Sequence, residues 1–386
     1  MKKTAELKGL RAKKPQIGVE KTKFFGGDVF LVCAVVLLTV IGTVFIYSAS
    51  SYSAKATYND SFYFVKKQVI GIALGLAGMI AAGVFDYKKI KKAAIFIEIA
   101  APLLLAAIFI PGVGVENYGA KRWIGLGPIT FQPSETAKFA LIVFAAKYVS
   151  DNPEKARTLK GSLPVLLYGG LLCGLIIIEP NMSITVCVAL LMLAILLASG
   201  MKLKYFLFIL IPAIIGAIGL ILIEPYRLNR LSAFLNPWAS PKGEGYQLLQ
   251  SLYALGSGGW FGTGIFGSRQ KYAFLPFSES DFILSIIGEE TGFIGLIAFF
   301  TLIGFIVFRG LKIAAGAKDL FGYLLATGIT LIFGIQVVIN ALVVSGSIPP
   351  TGLPLPLVSS GNTSIIIFMT EFGILYNISK QNKEKS

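Results

Sequence analysis

The sequence predicts an all-α polytopic membrane protein, and three observations carry that prediction. Of 386 residues, 55% are hydrophobic and only 14% charged, against roughly 25% charge in ordinary soluble domains. Ten mostly apolar segments, each close to the roughly 20 residues that a bilayer core requires, follow one another along the chain. The basic residues gather in alternate connectors, the pattern of the positive-inside bias.

Taken in order, the expected spans are 28–48, 66–85, 93–111, 131–149, 163–178, 183–200, 204–223, 282–308, 319–344 and 354–378. Residues 1–27 form a basic tail, expected to be disordered and drawn to anionic lipid. The first span lacks a small-residue cleavage pattern and reads as a retained helix, not a signal peptide. Lys88, Lys89, Lys91 and Lys92 fall after the second span, and Lys147, Lys155, Arg157 and Lys160 after the fourth. Lys202 and Lys204 follow the sixth, Arg309, Lys312 and Lys318 the eighth, and Lys380, Lys383 and Lys385 close the chain in the tail 379–386. All of these lie on the side of the N-terminal tail, which places both termini in the cytoplasm. The net charge of +15 is thereby a membrane topology signal, and nucleic acid drops out as a partner.

Three connectors of the membrane domain 28–378 face outward: 111–135, the large extracytoplasmic loop 224–281 between spans seven and eight, and 345–364. Sharing one face, they can converge on one outer site. The chain has no histidine, and Cys33, Cys173 and Cys187 all fall inside spans without C-x-x-C spacing. Zinc and disulfide chemistry are therefore not expected, and any general acid or base must be a carboxylate, Lys, Tyr or Cys.

Two familiar patterns are set aside on context. Gly262-Thr263-Gly264-Ile265-Phe266-Gly267 matches the dinucleotide fingerprint, which has meaning only between a strand and a helix of a βαβ unit. Ser268 to Lys271 and Ser360-Gly361-Asn362 echo transpeptidase elements, but no K-T-G follows and no soluble domain is there to hold them. The outer cations Arg122, Arg230, Arg269 and Lys271 form a candidate patch for an anionic group, since the arginine fork suits phosphate. The alternative for Arg122, beside Trp123, is an interfacial anchor. Lys138, inside the fourth span, is a site hypothesis by its position alone, with Glu135 one turn earlier as local partner.

The stretch FLPFSESDFILSIIGEE (274–290) concentrates four of the chain's 20 acidic residues. Asp281 can cap the helix that starts beside it. Glu289, eight residues on, lies about 12 Å deeper, so Glu289 and Glu290 need partners inside the membrane, and Lys138 is one candidate. A buried structural network is the plain reading of that pair. Glu279 has no assigned role.

Seven blocks now resemble one family: AKRWIGLG with FQPSETAK, NRLSAFLNPW, GYQLLQSLYALGSGGWFGTG, SRQKYAFLP, SDFILSIIGEETGFIG and IPPTGLPLPLVSSG. In this order they are similar to the SEDS proteins (FtsW, RodA, SpoVE), closest to the FtsW/SpoVE branch. The resemblance implies ten transmembrane helices and a peptidoglycan glycosyltransferase that polymerises lipid II at the outer face of the bacterial cytoplasmic membrane. It also implies a class B penicillin-binding protein as partner, within the divisome or the sporulation cell-wall machinery. By resemblance, Asp281 of Ser280-Asp281-Phe282 moves from cap to catalytic carboxylate. Arg122, Lys138, Arg230, Arg269, Lys271 and Ser359 become substrate contacts, and Glu135, Glu289 and Glu290 supports. A divalent cation, Mg or Mn, near Asp281 is the one cofactor the chemistry invites.

The chain departs from the family at Leu275-Pro276-Phe277 (usually Leu-Pro-Glu), at Glu179-Pro180-Asn181-Met182-Ser183 and at Ser359 to Ser364. Two other classes stay open: a lipid II flippase using Lys138, Glu289 and Glu290 as a polar path, and a non-catalytic activator or scaffold of a penicillin-binding protein. The crowding of special loops on one face favours the enzyme.

Overall fold

The computed structural model describes residues 26–117, 120–126, 129–223 and 225–383. Nearly all of the expected basic tail and the last three residues lie outside that range. The chain runs α1 (Val29–Tyr58), α2 (Tyr63–Val84), α3 (Lys88–Ala107), β1 (Gly114–Asn117), β2 (Ala120–Leu126), β3 (Ile129–Phe131), α4 (Pro133–Asp151), α5 (Leu159–Ile178) and α6 (Met182–Ala198). It continues through α7 (Leu203–Ile223), α8 (Pro225–Leu235), α9 (Tyr246–Gly258), α10 (Ile283–Ala315), α11 (Leu320–Val344) and α12 (Asn362–Lys383). Among the described residues, five helices are long and apolar enough to cross a membrane: α1, α2, α5, α10 and α11.

Every expected span has its helix, but four details differ. The connector 111–135 is not plain loop: β1, β2 and β3 form an antiparallel sheet, built from Val115, Trp123, Ile124 and Thr130, residue types that fit a pleated strand. The loop 224–281 contains α8 and α9. The last span begins at Asn362 instead of 354. Its apolar prefix, with Leu355, Leu357 and Val358, is buried against protein, and Pro354 and Pro356 keep it out of a helix. Hydropathy alone does not distinguish burial in protein from burial in lipid.

The fourth difference is a break in α10 at Gly292 (φ 67°, ψ −169°). The carbonyls of Glu289 and Glu290 accept from the Thr263 and Gly264 amides at 2.9 and 3.1 Å, while Phe293 and Ile294 donate to Gly259 and Trp260 at 2.9 and 3.2 Å. The 259–264 loop thus replaces the helical bonds lost at the break, which low-dielectric surroundings demand. A Cβ on Gly262 would stand 2.1 Å from the Glu290 carbonyl oxygen. Gly262, the first glycine of the discarded dinucleotide pattern, serves this close approach.

α2 packs along α12 through Gly71, Gly75 and Gly83; a Cβ on Gly75 would meet the Met369 sulfur at 2.7 Å. Small residues four apart permit such contact between helices. At one end of the bundle the Asp28 amide donates to Ser379 at 2.8 Å and Arg309 pairs with Asp28 at 2.5 Å. The start of α1, the end of α10 and the end of α12 therefore share a face. The sheet lies at the other end, where the Thr363 hydroxyl donates to the Thr130 carbonyl at 3.0 Å.

Candidate active site

Asp281 sits in the turn that feeds α10, and it is not that helix's cap. The cap position is Phe282, with no side-chain cap bond, so the capping expectation is corrected and the carboxylate is left for other work. The turn closes through the Ser280 amide on the Phe277 carbonyl at 3.0 Å, and Ser280 Oγ donates to Asp281 Oδ1 at 3.0 Å. Asn340 Nδ2 donates to the carbonyls of Asp281 and Leu353, each at 2.8 Å. Ser359 Oγ donates to the Ser280 carbonyl at 2.6 Å and accepts from the Leu355 amide at 2.8 Å. The Ser360 amide donates to the Glu279 carbonyl at 2.9 Å. The proline-rich loop thereby grips residues 279–281 on both sides, and a Cβ on Gly352 would come within 3.1 Å of Asp281 Oδ2.

Burial pushes the Asp281 carboxyl up to about 6 from its ordinary 3.8, and the Glu279 charge adds to the rise. The Ser280 hydroxyl, Arg230 and Arg122 pull it back. Burial likewise raises Glu279.

Arg122 and Arg230 act on this carboxylate through their charge, from different elements. Arg122, on β2, donates from Nε to the Glu179 carbonyl at 3.3 Å and from Nη2 to the Pro180 carbonyl at 2.5 Å. Burial raises the Glu179 side chain to about 8 against the pull of Arg122. Arg230, on α8, donates to the Pro350 carbonyl at 3.4 Å. A strand, the helix α8 and two loops thus bring two guanidinium groups and two carboxylates to one rim.

The other expected cations are placed elsewhere. Lys138, 2% exposed, is bound to Glu135 at 2.8 Å and to Gln336 Oε1 at 2.7 Å, over the Phe368 ring. It does not pair with Glu289 or Glu290, and that expectation is corrected. Their cation is Lys271, 3.6 Å from Glu290 and 6% exposed. Ser48 Oγ donates to Glu290 at 2.5 Å, Ser268 Oγ to Glu289 at 2.5 Å and the Arg269 amide to Glu289 at 2.9 Å. Ser268 and Lys271 of the transpeptidase-like pattern are therefore buried anchors beside the break in α10. The Arg269 side chain is exposed. Lys271, which also donates to the Phe266 carbonyl, is brought beside Glu290 by the segment that follows the 259–264 loop at the helix break.

Residues that sequence reasoning missed are Gln336 and Asn340. They stand four apart in the apolar run FGIQVVINALVV of α11, and Gln336 Nε2 also holds the Pro354 carbonyl at 3.1 Å. Two uncharged polar groups one turn apart inside a span were the available signal. Among the described residues, no group of three or more His, Cys, Asp or Glu is placed to hold a metal ion.

Residues 29–384 match the family model FtsW/RodA/SpoVE, described as cell cycle protein. A protein of Geobacter sp. (strain M18) named "Probable peptidoglycan glycosyltransferase FtsW" is 37% identical over 355 residues, covering 92% of this chain and 97% of its own. Stage V sporulation protein E of Bacillus subtilis (strain 168) is 36% identical over 365 residues, covering 94% and 99%. Among solved structures, the rod shape determining protein RodA of Thermus thermophilus aligns with a TM-score of 0.69 at 25% identity, over 94% of this chain and 99% of that one. A chain from a structure on the coordination of polymerization and crosslinking by a peptidoglycan synthase complex aligns with a TM-score of 0.77 at 26% identity, over 94% and 100%.

Proposed function

The chain belongs to the FtsW, RodA and SpoVE family of cell cycle proteins, and from that premise we propose a peptidoglycan glycosyltransferase that polymerises lipid II. In this reading the membrane domain 28–378 crosses the bacterial cytoplasmic membrane ten times, both termini are cytoplasmic and the Asp281 rim faces outward. The observation that carries the reading is Asp281 itself, uncommitted to a helix cap, raised to about 6 and flanked by the charges of Arg122 and Arg230.

The reaction joins the 4-hydroxyl of one disaccharide to the anomeric carbon of another. As the new C–O bond forms, Asp281 takes the hydroxyl proton, and the bond from the anomeric carbon to diphosphate breaks with its electron pair leaving on undecaprenyl diphosphate. A carboxylate titrating near 6 is ionised at neutral pH yet far more basic than one near 4, which suits a general base. Arg122 and Arg230 offer the planar forks that match a departing diphosphate. Glu279 and Asp281 alone do not make a protein cage for Mg or Mn, and a chelator arm of the assay tests for the cation.

Arg269 and Ser359 contact the substrate in this reading, and Lys138, Lys271, Glu135, Glu289 and Glu290 act as supports. The similarity to a peptidoglycan synthase complex supports a class B penicillin-binding protein as partner, in division or sporulation. The test is polymerisation of purified lipid II by wild type and Asp281→Asn, with and without that partner. Chains from the variant at the wild-type rate overturn the base assignment. Lipid II translocation without chains would point to the flippase, and a wild type inert in both assays to the scaffold.

A further inference from the structure

The end of the bundle opposite Asp281 holds a cavity of about 530 Å³ that the proposed reaction does not use. α3 and α11 begin there and α4 ends there, so its walls carry Lys88, Lys91, Lys92, Lys147, Asp151 and Asp319. The carboxylates are engaged: Asp151 pairs with Lys91 at 2.7 Å, while Asp319 accepts from the Tyr87 hydroxyl at 2.6 Å and the Gly322 amide at 2.7 Å. Lys147 leans on Glu98 at 3.6 Å. Lys88 and Lys92, one turn apart on α3, are exposed and make no ion pair among the described residues. With Lys91 and Lys147 held by Asp151 and Glu98, Lys88 and Lys92 give the cavity its excess of positive charge, and that excess favours an anion.

The shape of α3 says which kind. At 100° per residue, Lys88 and Lys92 share a face with Ile95, Phe96, Ile99 and Leu103, and all four of these apolar side chains are exposed, between 48% and 74%. A soluble anion has no use for that stripe. A phospholipid does, because its acyl chains need an apolar wall directly below a cationic pocket.

We propose that this cavity binds the phosphate headgroup of an anionic phospholipid, with the acyl chains laid along the exposed face of α3. The site is independent of the chemistry at Asp281.

The test uses the full chain in nanodiscs of phosphatidylcholine with or without phosphatidylglycerol, reading retained lipid by native mass spectrometry. Wild type should retain phosphatidylglycerol over phosphatidylcholine. Lys88→Gln with Lys92→Gln should cut that preference roughly 30-fold, at about tenfold for each 1.4 kcal/mol and about 1 kcal/mol per lysine near a charged surface. Lys88→Arg with Lys92→Arg should keep it, as should Lys202→Gln with Lys204→Gln, a control pair elsewhere on the chain. Equal loss in the control pair, or no preference in wild type, overturns the site. Displacement of the lipid by millimolar inorganic phosphate would overturn the lipid assignment, because a soluble anion would then be the better occupant.

Discussion

Asp281 and Glu290 stand nine residues apart in one stretch, yet their surroundings are opposite. Glu290, 1% exposed, accepts on Oε1 from Ser48 at 2.5 Å and the Ser268 amide at 3.2 Å, with Lys271 3.6 Å away, while its buried Oε2 has no hydrogen-bond partner among the described residues. Asp281 is half-buried, accepts a side-chain hydrogen bond from its neighbour Ser280, and feels its two arginines as charges. A carboxylate held by a cation and short hydrogen bonds is stable and chemically idle. A carboxylate desolvated with little compensation is destabilising and basic. The contrast teaches that the same residue class, nine residues apart, becomes strut or base according to whether a cation and neutral donors meet it directly.

The sharpest way to break this comparison is Asp281→Asn. Polymerisation should fall about 10²–10⁴-fold, the range a general base supplies, with the partner complex still forming. The same variant should gain stability. A carboxyl raised from 3.8 to about 6 in the folded state binds its proton more tightly there than in the unfolded chain. Folding stability therefore declines as pH rises through that window, by up to roughly 2–3 kcal/mol. Asp281→Asn should accordingly melt above wild type at pH 7 and alongside it at pH 4, and lower melting at pH 7 would refute the desolvated carboxylate.

Next in size is Glu290→Gln or Lys271→Met. Each leaves a buried partner uncompensated and should cost about 3–5 kcal/mol, read as thermal unfolding in detergent. The double variant should cost less than the sum; simple additivity would mean the two do not act as a pair. Lys138→Met should behave likewise through Glu135 and Gln336, with lipid II affinity per folded molecule unchanged, and a selective loss of affinity would return Lys138 to the substrate site.

Smaller effects belong to the groups that aim Asp281. Asn340→Ala removes one donor to the Asp281 and Leu353 carbonyls and should lower kcat with little change in KM. The smallest effect is on pH. Activity should fall as pH drops through about 6, since the base must be ionised. Arg230→Ala should move that limb to higher pH and Glu279→Gln to lower pH, following the signs of their charges on Asp281. Shifts in the reverse directions would separate these residues from the base.

What the sequence determined by itself is a helix for each of the ten apolar segments, whereas α8 and α9 within 224–281 and the sheet within 111–135 came only with the tertiary structure. Burial in a bilayer imposes a length and a hydropathy on each span, and those constraints are local, so composition alone exposes them. Locality alone read Asp281 as a helix cap, and only the resemblance of the block Ser280-Asp281-Phe282 made it a candidate catalytic carboxylate. Its partners were not legible. Lys138 and Lys271 carry the same charge and both belong to apolar surroundings, and only tertiary packing assigns the first to Glu135 and Gln336 and the second to Glu290. The break at Gly292 decided this, because the loop that repairs the lost helical bonds brings Ser268 and Lys271 with it. Hydrogen bonds across more than 200 residues, such as Ser48 to Glu290, leave no periodic trace in the chain. Hydropathy acts residue by residue along the sequence, whereas a buried charge is answered by whichever polar group the fold delivers.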